Sequence, residues 1–149
     1  MNLFSVGVIR LAKVLPPLIA ALACTSCGGA DRKPVYPVKG QVNFEGRPLP
    51  SAFVVFHPLG GPDVDSIRPV GQGDRAGSFN LTTYTRHDGA PAGEYAVTVE
   101  FRPPPLDGDA PHDDILPARY AKPESSGLRV QVIEGDNELP PFELKWQRK

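Results

Sequence analysis

Cysteine is almost missing from this chain. Two occur in 149 residues, Cys24 and Cys27, and both fall in the first 27 positions. Everything after them lacks a thiol, which excludes a structural disulfide, a thiol nucleophile and a thiolate-held metal from that part. Histidine is scarce as well: His57, His87 and His112 lie far apart, with no i, i+2 or i, i+4 pair to set two imidazoles on one face. Long apolar runs are lacking. The longest, residues 14–23, is half the ~20 residues that a membrane-spanning helix needs. There is no excess of either charge, since 16 basic residues face 17 acidic ones for a net −1. Lys and Arg are scattered rather than gathered in a stripe, so nucleic acid is not an expected partner.

What is present starts with the leader. Arg10 and Lys13 precede the apolar stretch 14–23, small residues close it, and Cys24-Thr25-Ser26-Cys27 follows. A basic segment, a short apolar segment and small residues make a secretory signal peptide, helical over residues 1–23. Ala21-Leu22-Ala23-Cys24 resembles the tetrapeptide that ends in the lipidated Cys of exported lipoproteins. Cys27 supplies a competing frame; Cys24 is preferred because a Cys at the −3 position is less usual. A redox or half-zinc reading of C-x-x-C lacks a βαβ setting and a second ligand pair. The expectation is an exported chain, lipid-anchored through Cys24 or Cys27 to the cell membrane or the outer membrane, on its periplasmic or surface face. Without the leader's two cations the balance is 14 basic to 17 acidic.

Proline (18) and glycine (15) are abundant, and after the leader no segment keeps a helical period. Residues 24–36 read as a tether. From residue 37 to 149 the pattern alternates at period two, the mark of half-buried strands. Val38, Val42 and Phe44 fall on one face, with Lys39, Gln41 and Asn43 on the other. Residues 52–57 are apolar on both faces, as in an interior strand. A short strand is expected near residues 66–70. Phe79 and Leu81 point inward from the next, and Tyr95, Val97, Val99 and Phe101 from the clearest one. An edge element is expected over 116–120. Leu128, Val130 and Val132 alternate, Glu134-Gly135-Asp136-Asn137 reads as a hairpin turn, and Phe142, Leu144 and Trp146 close the core. These segments predict an all-β domain, an antiparallel Greek-key β-sandwich of about seven strands.

The order of strands and turns resembles the carboxypeptidase regulatory-like modules of the transthyretin-like (prealbumin-like) β-sandwiches. The residues that carry the likeness are Gly40-Gln41-Val42, the turn Gly46 to Pro50, the apolar strand Phe53 to Phe56, the D-x-x-G-x-F turn Asp74 to Phe79, and Gly93 to Val99 as G-x-Y-x-V-x-V. They span roughly residues 36–146. Each has a physical reason. Gly77 suits a turn with positive φ, and Tyr95 offers an inward ring whose hydroxyl reaches a loop carbonyl. These motifs specify a fold and no reaction. The resemblance implies a structural, accessory or binding module and brings over no catalytic residue.

Catalytic constellations are hard to assemble. A metal-dependent activity would need His87, Asp88 and His112 to converge with the acidic loop Asp107-Gly108-Asp109-Ala110-Pro111-His112-Asp113-Asp114. That loop lacks the ligand spacing and the closing Glu of a calcium loop. His57 precedes Pro58 and reads as a strand-boundary residue. Ser125-Ser126-Gly127 is turn material, with no G-x-S-x-G elbow in the chain. The chain ends in KWQRK and so lacks the Tyr-Arg-Gly-Ser ending of hydroxyisourate hydrolases, and no two Tyr pair with two His as dioxygenase iron ligands. Tyr84, Tyr120 and Trp146 are the candidates for a carbohydrate- or peptide-binding platform, with Trp146 read rather as a core residue. The expectation is therefore a non-catalytic module without cofactor or metal. Its partners would be the membrane and envelope proteins or polysaccharide, and its ligand-binding residues are unassigned.

The leader yields a direct prediction. The protein sediments with membranes, and replacing the lipidated Cys by Ala releases it to the soluble fraction. Unchanged fractionation of Cys24→Ala, Cys27→Ala and the double variant would refute the anchor.

Overall fold

The computed structural model describes residues 32–60, 67–102 and 115–146. The leader with Cys24 and Cys27, and the acidic loop with His112, lie outside the described residues. Among the described residues nine strands run in chain order: β1 (Val38–Phe44), β2 (Arg47–Pro48), β3 (Ala52–Pro58), β4 (Val70–Gln72), β5 (Ser78–Thr82), β6 (Gly93–Phe101), β7 (Leu128–Val132), β8 (Asn137–Glu138) and β9 (Phe142–Leu144). The all-β architecture matches the period-two reading, with short strands such as β2 and β8 added to the expected set.

The sheet order is β2-β1-β5-β4-β3-β6-β7, with β8 and β9 also on β1. β5 makes the fold turn over. Its first half pairs with β1 (Lys39↔Asn80, Gln41↔Ser78) and its second half with β4 (Val70↔Thr82, Gly71↔Leu81). Changing partner midway wraps the sheet around the core, and β5 sends Phe79 and Leu81 into it, both fully buried. Phe79 stacks on Phe142, centroids 6.0 Å apart and planes 12° off parallel. Val42, Val54, Phe56, Val97, Val99 and Leu144 fill the rest. Each such side chain contributes about 1.5–3 kcal/mol by leaving water.

β6 lies between β3 and β7, and along its middle it is buried on both faces. Tyr95, Val97 and Val99 face the core, while Ala96 and Thr98 are also buried. Tyr95 behaves as its motif implies: its ring packs 5.6 Å from that of Phe56, and its hydroxyl donates to the Pro91 carbonyl at 2.8 Å. Burial first, and then the neighbouring Tyr84, push its pKa up to about 12.

Four expectations need correction. Residues 116–120 form no edge strand. Pro117 accepts from Tyr120 N and starts a 3-10 turn, Ala118–Ala121, that buries Leu116 and Tyr120 while Ala118 stays exposed. The strand expected over 66–70 instead runs Val70–Gln72. Residues 134–137 are no hairpin turn. The buried Asn137 side chain donates to Ile133 O (3.0 Å) and Gly135 O (2.8 Å) and accepts from Ile133 N (2.9 Å). It closes the loop itself, and the chain crosses to the other layer, where β8 and β9 pair β1 in parallel. Two ladders are therefore parallel in an otherwise antiparallel sheet. Trp146, read as a core residue, is 57% exposed, because the strand ends at Leu144 and the inward phase ends with it.

Two glycines are demanded by geometry. Gly77 has φ +72 at the turn before β5, as its motif implies. Gly89 has φ +96 and lies directly under the Tyr36 carbonyl, where a Cβ would collide with that backbone. The collision site is the isolated bridge that holds the entering chain: Tyr36 N donates to Ala90 O (2.9 Å) and Ala90 N to Tyr36 O (3.0 Å). Gly89→Ala should therefore cost about 2–4 kcal/mol, from a left-handed backbone plus overpacking. Urea unfolding followed by circular dichroism measures it, and a midpoint equal to wild type would remove the argument.

Candidate functional site

β7 pairs only with β6 among the described residues, so it is an edge strand. The direction of its free backbone groups follows from its neighbours. Leu59 N donates to Glu94 O, which points the Glu94 backbone at β3. Alternation then points Gly93, Tyr95 and Val97 at β7, where they pair with Val132, Val130 and Leu128. Arg129 and Gln131 are left with N–H and C=O turned outward.

Across from this edge runs the segment Leu139-Pro140-Pro141-Phe142. The two prolines explain why β8 and β9 are separate: neither can donate to β1, and the ladder stops between them. Leu139 N still reaches Lys39 O at 2.9 Å. The seam between β7 and this segment is a groove of about 370 Å³, at the low end of small-ligand sites, which run from about 300 to 1,000 Å³. Half-buried Leu128, Val130 and Leu139 give it apolar walls, and Arg129 is the one charged residue lining it.

The aromatic candidates do not form one platform. Tyr120 is buried, and its ring oxygen is held at the end of β9: Lys145 N donates to it at 2.9 Å, and Arg119 donates at 2.6 Å. Trp146 is exposed nearby, edge-on to Phe44 with centroids 5.5 Å apart. Its backbone N–H donates to Glu45 Oε1 at 2.6 Å. Tyr84 lies at the other end of β1. Its hydroxyl accepts from Lys33 N at 3.1 Å, and the Arg32 guanidinium sits 5.2 Å over its ring.

The histidines are also apart. His87 is exposed at φ 61, with its backbone N–H donating to Thr82 Oγ1. Asp88 beside it serves the loop: Oδ1 accepts from Thr83 N (2.7 Å), and Oδ2 from Tyr84 N (2.9 Å) and Thr85 N (2.8 Å). Burial pushes its pKa up, but these bonds outweigh that and leave it below the usual carboxylate value. Gly89 N, next along, donates to Leu81 O at 3.0 Å. Among the described residues no three His, Cys, Asp or Glu come together as a metal site. Ser125 donates to Arg119 O and Ser126 accepts from Leu128 N, both as turn closures. None of the described helical segments is long and apolar enough to cross a membrane.

His57 was legible only as a strand boundary. It is half-buried, with Nε2 2.9 Å from Thr98 Oγ1. Burial first, then Arg68, hold its pKa below the usual value, with Glu124 opposing. The folded state thus favours neutral His57. Its contribution to stability is complete above the unfolded pKa of about 6.5 and is lost as pH falls from there to the folded value. The urea midpoint should drop across that window, and His57→Gln should flatten this part of the profile. Identical slopes in the two proteins would rule out His57 as the source.

No family model matches the chain, and neither does any curated protein. It is similar to two solved structures. One is a DUF3823 family protein from Parabacteroides merdae ATCC 43184, 18% identical over 76% of this chain and 47% of that one, with a TM-score of 0.40. The other is a 9R-lipoxygenase from Cyanothece PCC8801, 13% identical over 80% of this chain and 18% of that one, with a TM-score of 0.40. The chain spans less than half the length of either.

Proposed function

We propose that this protein is a lipid-anchored, non-catalytic β-sandwich module of the cell envelope, of the carboxypeptidase regulatory-like kind, and that it serves in protein interaction. The observation that supports interaction is the open edge of β7. Backbone groups at Arg129 and Gln131 face a groove walled by Leu128, Val130, Leu139 and Phe142. An extended peptide satisfies such an edge by adding a strand, with its own side chains alternating into the apolar walls. A sugar offers no ladder of donors and acceptors at strand spacing, so the seam favours peptide over carbohydrate. The leader supports export and anchoring, through Cys24 or Cys27.

Proline at position 131 tests the edge. Gln131→Pro removes an N–H that faces the groove and leaves the bonds between β7 and β6 in place, as prolines on edge strands do. The variant should keep wild-type circular dichroism and lose a peptide partner crosslinked through β7. A partner retained at wild-type yield would overturn the edge as the contact.

A further inference from the structure

We propose that the corner of the domain around Tyr84 rests on anionic phospholipid headgroups of the bilayer that holds the lipid anchor, with Arg32, Lys33 and Arg86 as the contacts. The proposal rests on the anchored reading above and deepens it by naming a surface and its partner.

The chain's own length carries the first half of the argument. Arg32 is eight residues from Cys24 and five from Cys27. Whatever path the intervening chain takes, it reaches at most about 29 Å or 18 Å. The described chain enters the domain pinned at one corner: Lys33 N bonds the Tyr84 hydroxyl, Arg32 covers the Tyr84 ring, and Tyr36 bridges Ala90. A lipid on either Cys therefore keeps this corner within that reach of the bilayer.

Charge supplies the second half. Arg32, Lys33 and Arg86 are exposed around Tyr84, and the loop's carboxylate, Asp88, is turned inward onto three backbone N–H groups. Glu134 and Asp136 lie on the other side of β1, in the loop that leads to β8. The entry end is thus divided into a basic corner, where the tether arrives, and an acidic one. Each cation close to an anionic surface raises its occupancy about fivefold, and Tyr84 is an aromatic suited to the headgroup layer. Trp146 sits at the far end of β1, beside Phe44. Seven residues of strand put it about 20 Å further from the bilayer.

The test uses the full lipidated chain in vesicles that carry a headgroup quencher, made of phosphatidylcholine alone or with about a third phosphatidylglycerol. Trp146 is the only tryptophan, so the wild-type chain reports the far end. Thr85→Trp in a Trp146→Phe background reports the Tyr84 corner; it gives up one hydroxyl contact to Asp88 and keeps the three N–H bonds. In anionic vesicles the Thr85→Trp reporter should be quenched at least about twofold more than Trp146. The excess should vanish in neutral vesicles, with Arg32→Glu, Lys33→Glu and Arg86→Glu combined, and in about 0.5 M salt, where screening length falls to about 4 Å. A reporter unquenched in both vesicle types, on a chain that still floats with them, overturns the headgroup contact and leaves the anchor standing. Quenching of Trp146 instead overturns the orientation. A chain that does not float, with or without Cys24 and Cys27, refutes the anchor itself and this proposal with it.

Discussion

Both hydrogen-bonding edges of β1 are occupied, and the rest of the molecule is placed by that. One edge takes β5 and then β2; the other takes β8 and β9 in turn. Because β5 then passes to β4, a single strand ties the layer built on β1 to the layer that runs through β4, β3, β6 and β7. Phe79 leaves β5 where it changes partner and meets Phe142 arriving on β9. The core is thus held by residues more than sixty positions apart, brought together by backbone pairing on one strand.

The same arrangement creates the seam. β8 and β9 give one edge to β1, and Pro140-Pro141 keeps the crossing segment from filling the gap at its other edge with a ladder to β7. Among the described residues β7 therefore keeps an unpaired edge beside apolar walls. Proteins commonly blunt such an edge with charge or bulges. Here Arg129 supplies the one charge, while the opposite wall is made inert by prolines. The seam is thereby asymmetric, with one side that offers backbone groups and one that offers only surface.

Much of the fold was legible because its signals are local. Tyr95-Val97-Val99 alternates within one strand, and the D-x-x-G-x-F turn fixes Gly77. What was not legible depends on partners remote in sequence. Asn137 reads as a turn residue, and nothing near it shows that its amide closes the loop and releases the chain to a parallel pairing with β1. Trp146 continues the phase of Phe142 and Leu144, but the ladder ends at Leu144, and phase without pairing does not bury a side chain. The seam was invisible for the same reason, since an edge is defined by which strand is not beside it. The aromatic candidates, chosen by residue type, were dispersed to opposite ends of β1. The two cysteines, the most legible feature of the sequence, lie outside the described residues.

The Asp88 loop has a consequence for chemical lifetime. An Asp–Gly step is where a backbone nitrogen most readily attacks the preceding carboxyl group and isomerises the linkage, because glycine offers no steric hindrance. In this loop the attacking nitrogen of Gly89 is committed to the Leu81 carbonyl, and the carboxyl group of Asp88 is ionised and held by three other N–H groups. Nucleophile and electrophile are each occupied elsewhere. The chain is thereby shielded from ageing at the step that lies beside the Tyr36–Ala90 bridge.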